Sequence, residues 1–311
     1  MQGRQKLLIE WDRGANAVYS SDSYKDDLVA SATAPGNVIL SRGDADAAAA
    51  SVHEAIYYAP HLSQAPMEPP AATARVNEDG TCEIWACTQD PQSVRSTVAG
   101  VLGIDKEQVT VNVTMLGGGF GRKSKADFSA EAAYLAKAAG KPVKVQWTRE
   151  DDIRHGYLHS VSAQYFRAGM DEDGNTSTWL HRTSFPSIMS TFVPDANGPA
   201  AMELDLGATD CPWDVPNLRL EACDAPAHLR IGWLRSVCNV FHAFGSSSFV
   251  DELAHLKGRD PLEHRLESIG PARLINPADD GAEYGNYGQD LNQHPIDTGR
   301  LAAVAKQVAD M

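Results

Sequence analysis

The sequence predicts an α+β fold of two lobes, and three observations carry that prediction. Strand hairpins and capped helices follow one another without the strict alternation of a βαβ array. The chain has 311 residues, enough for about two domains at roughly 150 residues each. Its 43% hydrophobic content can fill two cores. The expected division places residues 1–50 at the end of an upstream domain or in a linker. Residues 51–150 then form a first lobe with a glycine loop, and residues 151–311 a second lobe, incomplete at its carboxyl end.

Taken in order, the first hairpin spans residues 73–88, where two apolar-rich runs flank the turn Asn77-Glu78-Asp79-Gly80. Asp90 is an N-cap with Pro91 at the first helical position, and Val94, Val98 and Leu102 share one face before Gly103 ends the helix. A strand over residues 109–115 leads into Gly117-Gly118-Gly119-Phe120-Gly121. A helix follows over residues 125–139, with Phe128, Ala132, Leu135 and Ala139 as its apolar stripe and Gly140 as its terminator. A second hairpin pairs residues 161–168 with 176–183 across Asp171-Glu172-Asp173-Gly174-Asn175. Helices over residues 249–257 and from Asp260-Pro261 to Gly270 come next. Residues 271–295, rich in Pro, Gly, Asn and Asp, form a surface excursion, and a final helix begins near Asp297.

Composition excludes several functions. A net charge of −14 repels nucleic acid and anionic lipid. Residues 1–150 carry only −3 of that charge, so a basic cluster there is conspicuous. No stretch approaches the ~18 apolar residues of a membrane span, and the amino terminus lacks an apolar signal core, so a water-soluble chain is expected. Five cysteines without a CxxC pair indicate neither a disulfide framework nor a zinc knuckle.

The glycine loop is the most informative segment. A strand feeding glycines that open a helix directs backbone amides and a helix dipole at one spot, where an anion is favoured. Arg122, Lys123 and Lys125 are expected to reinforce it. The spacing fits neither a P-loop, because Arg122 separates Gly121 from Lys123-Ser124, nor a dinucleotide fingerprint, because Arg122 takes the last glycine's place. The plainer alternative is a tight turn whose glycines only permit close packing. Gln89, between a strand end and an N-cap, offers an uncharged donor and acceptor. Arg235, in an apolar glycine-bearing stretch, is either an anion donor or a surface arginine lying over Trp233. His155 with His159, and Glu252 with His255, have metal-ligand spacing but no evident third ligand.

With these residues in view, the sequence resembles the molybdopterin-binding large subunit of the xanthine dehydrogenase and aldehyde oxidase family, nearest the isoquinoline 1-oxidoreductase branch and its beta chains. The resemblance rests on residues 58–70, Thr88-Gln89-Asp90-Pro91, Met115-Leu116-Gly117-Gly118-Gly119-Phe120-Gly121-Arg122, residues 141–151, Gly232-Trp233-Leu234-Arg235-Ser236 and residues 249–261. It implies the mixed-sheet architecture of that molybdopterin-binding domain. It also implies a molybdopterin cofactor, with the cytosine dinucleotide form open, whose metal takes no protein side chain as ligand. Gln89 matches the glutamine that hydrogen-bonds the cofactor's oxo group. Gly118, Gly119, Phe120 and Gly121 match the loop wrapped against the metal's ligands, and Arg235 matches the cofactor-side arginine.

The implied reaction is hydroxylation of an N-heteroaromatic ring carbon or an aldehyde, with water as oxygen source and electrons leaving to iron-sulfur clusters on a small 2Fe-2S partner subunit. The family's general-base glutamate has no counterpart here, so no catalytic residue is assigned. The chain is therefore expected to be a central fragment that needs the remainder of the large subunit. Relatives of full length are periplasmic or cytoplasmic. Two rival functions are carried forward: a partner-binding piece that holds no cofactor by itself, and a nucleotide-binding protein.

Overall fold

The computed structural model describes residues 4–193 and 195–311. In chain order its first elements are helix α1 (Ser21–Thr33), strands β1 (Asn37–Arg42), β2 (Ser51–Ala59), β3 (Ala71–Val76) and β4 (Cys82–Ala86), helix α2 (Pro91–Leu102) and β5 (Val109–Val113). Then come α3 (Asp127–Ala139), β6 (Val143–Gln146), α4 (Arg149–His155), β7 (Ser162–Met170), β8 (Thr176–Ser184), α5 (Ala201–Leu204) and β9 (Asn217–Cys223). The chain closes with α6 (Asn239–Leu256), α7 (Pro261–Ile269), the short pair β10 (Leu274–Ile275) and β11 (Ile296–Asp297), and α8 (Thr298–Ala309).

The smaller lobe is a four-stranded sheet in the order β5-β4-β3-β6, with α2 and α3 packed together on it. Its β3–β4 hairpin turns at Asn77 and Gly80, the latter at φ +85°. The cap of α2 matches the sequence expectation: the Asp90 carboxylate accepts from the Ser93 N–H at 2.9 Å, and Gly103 closes the helix in the left-handed region. α3 differs in detail. It buries Phe128, Ala132, Ala133 and Ala136, while Leu135 is 45% exposed. Small residues let the helix lie close on Ala72 and Ala74 of β3, which turns its alanine side inward and carries Leu135 to the rim.

The larger lobe is a five-stranded sheet in the order β1-β9-β8-β7-β2, parallel only between β8 and β9. Both faces are covered. α1 supplies Tyr24, Leu28 and Ala32 to one side, and α6 packs Phe241, Phe249 and Leu253 against Phe166 and Trp179 on the other. Burial on two faces explains why β7 has buried residues at eight of its nine positions instead of an alternating pattern. α6 starts ten residues before the sequence predicts. Its Gly245-Ser246-Ser247-Ser248 run has weak helix propensity, but an added Cβ at Gly245 would lie 2.9 Å from the Phe166 ring. Tertiary packing therefore holds the helix through the run.

The predicted boundaries at residues 50 and 150 do not coincide with the sheets. α1 lies on the larger sheet, β1 is its edge, and β2 pairs with β7 along its whole length from Ser51 to Ala59. Residues 71–146 thus form an insertion between β2 and β7. Strand pairing across more than a hundred residues leaves no periodic trace in sequence, which is why the larger lobe's first segment resembles a linker there. All five cysteines are free, and burial pushes the thiols of Cys82 and Cys223 up to about 11, which makes them unreactive fillers.

Candidate functional site at the seam of the two lobes

Residues 60–70 carry the chain from β2 to β3, and β6 returns it through α4 to β7. The glycine loop hangs from the end of β5 into this seam. Gln89 leaves β4 beside it. Its N–H donates to the Lys123 carbonyl at 2.9 Å, and its Oε1 accepts the Gly121 N–H at 2.9 Å. Because an N–H demands an acceptor, the amide oxygen is committed to Gly121 and Nε2 is left as a donor. Nε2 meets no acceptor among the described residues. From the other lobe, the Arg235 N–H donates to the Phe120 carbonyl at 3.0 Å. The Arg235 side chain is exposed and has no partner among the described residues. Gln89, Phe120 and Arg235, separated by up to 146 positions, therefore meet in one place.

Three glycines are there for room. An added Cβ at Gly119 would fall 2.2 Å from Gln89 Oε1, at Gly121 2.1 Å from the Trp233 carbonyl oxygen, and at Gly117 2.6 Å from Glu68 Cβ. Gly118 and Gly121 also sit at φ +91° and +98°. The turn is strained at non-glycine positions on both sides of the seam, with Phe120 at φ +54°, Ser236 at +72° and Val237 at +43°. Such conformations cost of order 1–3 kcal/mol each and persist where surrounding structure enforces them. The amides of Gly117 and Gly121 are taken by Glu68 Oε2 and Gln89. Those of Gly118, Gly119 and Phe120 have no acceptor among the described residues. Five donor groups thus collect at the loop: three backbone N–H groups, Gln89 Nε2 and the Arg235 guanidinium.

The basic cluster does something other than predicted. Arg122 is fully buried and donates to both oxygens of Asp127 at 2.9 Å and to Asp152 at 3.2 Å. Lys123 is buried against Glu68 at 2.7 Å. Burial pushes the Glu68 carboxyl up, but Lys123 and the Gly117 N–H outweigh it and hold it below its ordinary value. Lys125 turns into the larger lobe, toward Thr191. A short 3-10 turn, residues 122–124, also separates the loop from α3, so the loop does not open that helix directly. Neutralised by carboxylates, Arg122 and Lys123 shape the loop from beneath and add little field at its tip.

Two further residues build the seam; both lie in the family-like stretch 58–70, which does not single them out. Glu68 donates its N–H to the Gly117 carbonyl and receives the Gly117 N–H in return, a reciprocal clamp on the first glycine. Buried Gln64 donates Nε2 to the carbonyls of Tyr157 at 2.8 Å and Trp233 at 2.7 Å. Their partners lie 49 to 169 positions away, so the match of residues 58–70 could not show what either side chain holds. The metal spacings lead nowhere: His159 Nε2 faces the Val237 carbonyl, Glu252 accepts from Tyr57 and pairs with His53, and no group of three metal-ligating side chains occurs among the described residues.

Comparison with known proteins adds a family. The molybdopterin cofactor-binding domain matches residues 30–269. The beta chain of isoquinoline 1-oxidoreductase from Brevundimonas diminuta is 30% identical over 210 residues, 66% of this chain and 27% of that protein. A nicotinate dehydrogenase chain of Pseudomonas putida is 28% identical over 249 residues, 76% of this chain and 21% of that protein. The chain thus spans about a quarter of the length of these relatives. Among solved structures, the aldehyde oxidoreductase of Desulfovibrio gigas superposes with a TM-score of 0.66 at 22% identity, covering 80% of this chain and 28% of that one. That likeness shows the fold: mixed sheets and helices in the arrangement of a molybdopterin-binding domain.

Proposed function

The chain belongs to the molybdopterin cofactor-binding domain family, and from that premise we propose that it forms part of a molybdenum hydroxylase large subunit and holds the pterin cofactor at the seam. The observation that carries the proposal is the chemistry of the donor set. The Gly118, Gly119 and Phe120 amides, Gln89 Nε2 and the Arg235 guanidinium are all donors, and Glu68, the carboxylate touching the loop, is occupied by Lys123 and Gly117. Such a set fits a group rich in oxygen acceptors and negative charge. In this reading Gln89 Nε2 donates to an oxygen of the cofactor, the loop amides line its metal end, and Arg235 faces its anionic side.

When bound, the cofactor supplies hydroxylation of an electron-poor carbon with water as oxygen source, passing electrons to iron-sulfur clusters on a small partner subunit. The chain's own part is to bind and orient. Gln89 is fixed by two hydrogen bonds, and the strained Phe120 backbone is fixed by Arg235, so the donors need little reorganisation when a cofactor arrives. Glu68 is engaged by Lys123 and the Gly117 N–H and is not free to accept a proton. Beside Trp233 lies a cavity of about 380 Å³, lined by Met202, Leu206, Val237 and Tyr287 together with the acidic residues Glu203 and Asp205. Its walls, mainly aromatic and aliphatic with two acidic residues among them, suit a flat N-heteroaromatic ring or an aldehyde, classes that the names of the relatives contain. The cytosine dinucleotide form of the cofactor belongs to the same proposal.

The second reading, a partner-binding piece that carries no cofactor, is favoured by the apolar side chains ringing the loop: Met67 and Met115 are 88% and 95% exposed, and Leu116 and Phe120 are also open. Metal analysis separates the two. Protein matured in cells that make molybdopterin should retain molybdenum and release the fluorescent pterin derivative on oxidation; protein that is folded but free of both would support the second reading.

A further inference from the structure

The three neighbouring cations of the glycine loop are treated differently. Arg122 and Lys123 are each buried on carboxylates, whereas Lys125, only 9% exposed, has no carboxylate within ion-pair distance among the described residues. Its Nζ donates to Thr191 Oγ1 at 2.9 Å and otherwise meets rings: Phe192 at 4.4 Å, Trp233 at 4.5 Å and Tyr157 at 4.9 Å from the ring centroids. A buried ammonium without a direct ion pair is costly; Asp127 acts on it only at longer range, and three ring faces supply the contact compensation. Burial lowers its pKa to about 8, so at pH 7 it keeps most of its charge.

The geometry points to Lys125 as a positioning residue that fastens the glycine loop of the smaller lobe to residues 233–235 of the larger one. Lys125 immediately follows the loop's 3-10 turn. Its three rings come from three separate segments of the larger lobe: the stretch after α4, the turn after β8 and the stretch before α6. Trp233 is the key ring, because its carbonyl occupies the space beside Gly121 and accepts from Gln64. Two residues on, the Arg235 N–H bonds the Phe120 carbonyl. Holding the Trp233 ring on the ammonium thus holds both ends of the donor set in register.

Lys125 acts here on the chain's own packing, and its effect is measured without cofactor. Amide hydrogen exchange of Arg235 and Gly121 reads the two bonds that span the site. Lys125→Met keeps the length and removes the charge, and should speed exchange at both by on the order of tenfold or more. The core amides of α2 and α6 should be unchanged. Lys125→Arg, which retains a cation able to stack on rings, should restore slow exchange. Phe192→Leu removes one partly exposed ring and serves if the methionine variant does not fold; it should give an intermediate rate. Wild-type exchange at Arg235 in Lys125→Met or Phe192→Leu would overturn the proposal, as would Lys125→Arg exchanging as fast as the methionine variant.

Discussion

The two lobes fill their interiors with different material. The smaller one packs alanines, Ala72 and Ala74 against Ala132, Ala133 and Ala136, and the larger one packs rings, Phe166, Trp179, Phe185, Phe241 and Phe249. The difference shows where each lobe's precision is spent. Close backbone approach in the smaller lobe seats α3, the helix that follows the glycine loop, directly on β3. Broad aromatic contact in the larger lobe fixes α6 and, through it, the strained segment that presents Arg235.

The comparison can be broken by exchanging the kinds of mutation. Phe166→Ala removes a fully buried ring that stacks on His181 at 4.2 Å and on Phe249 at 5.2 Å. It should cost about 3–5 kcal/mol in denaturant unfolding. In the smaller lobe the opposite change is the harmful one. Ala132→Leu places a larger side chain at a fully buried position of α3 and should cost about 1–3 kcal/mol by overpacking. Comparable tolerance of both would mean that the two cores do not differ in kind.

Acid sharpens the same contrast. Residues 71–146 contain no histidine, whereas His181 and His242 lie buried in the larger lobe. His242 Nδ1 donates to the Leu206 carbonyl at 2.8 Å, which leaves Nε2 of the neutral ring to accept from the Thr183 hydroxyl at 3.1 Å. Burial pushes the pKa of His242 down to about 4, and that of His181 well below its usual value. The folded state thus resists protons that the unfolded chain binds below about 6.5, so stability is full above that pH and falls as pH drops toward 4. His242 alone should contribute a loss of roughly 3 kcal/mol over that window. Probes in the larger lobe should melt first; simultaneous acid unfolding of both lobes with no loss above pH 4 would contradict this. A smaller effect is expected at the α2 cap, where Asp90→Ala should cost about 1 kcal/mol and leave the larger lobe untouched.

The same division describes what sequence could reveal. The smaller lobe's hairpin, the Asp90 cap and the Gly103 stop are local patterns, and local chemistry decides them. The meeting of Gln89, Phe120 and Arg235 is legible through the family's motif order. The fate of Arg122, Lys123 and Lys125 is not, because a cation's role depends on whether Asp152, Glu68 or Trp233 folds against it. The same holds for α1 and β1, which carry no label saying that they belong to a sheet completed 180 residues later. α6 reads short in sequence because Gly245 argues against a helix until Phe166 is placed beside it.

Whether the seam's donors hold the molybdenum cofactor is decided by the molybdenum and pterin content of wild-type protein beside Gln89→Leu, both matured in cofactor-producing cells. Leucine keeps the bulk of the side chain and removes both the bond to Gly121 and the free donor. Wild-type protein should carry molybdenum and pterin in equal amounts, and the variant should lose most of both while its larger lobe melts at the wild-type temperature. Equal molybdenum in the two proteins, or none in the wild type, would mean that these donors do not hold the cofactor.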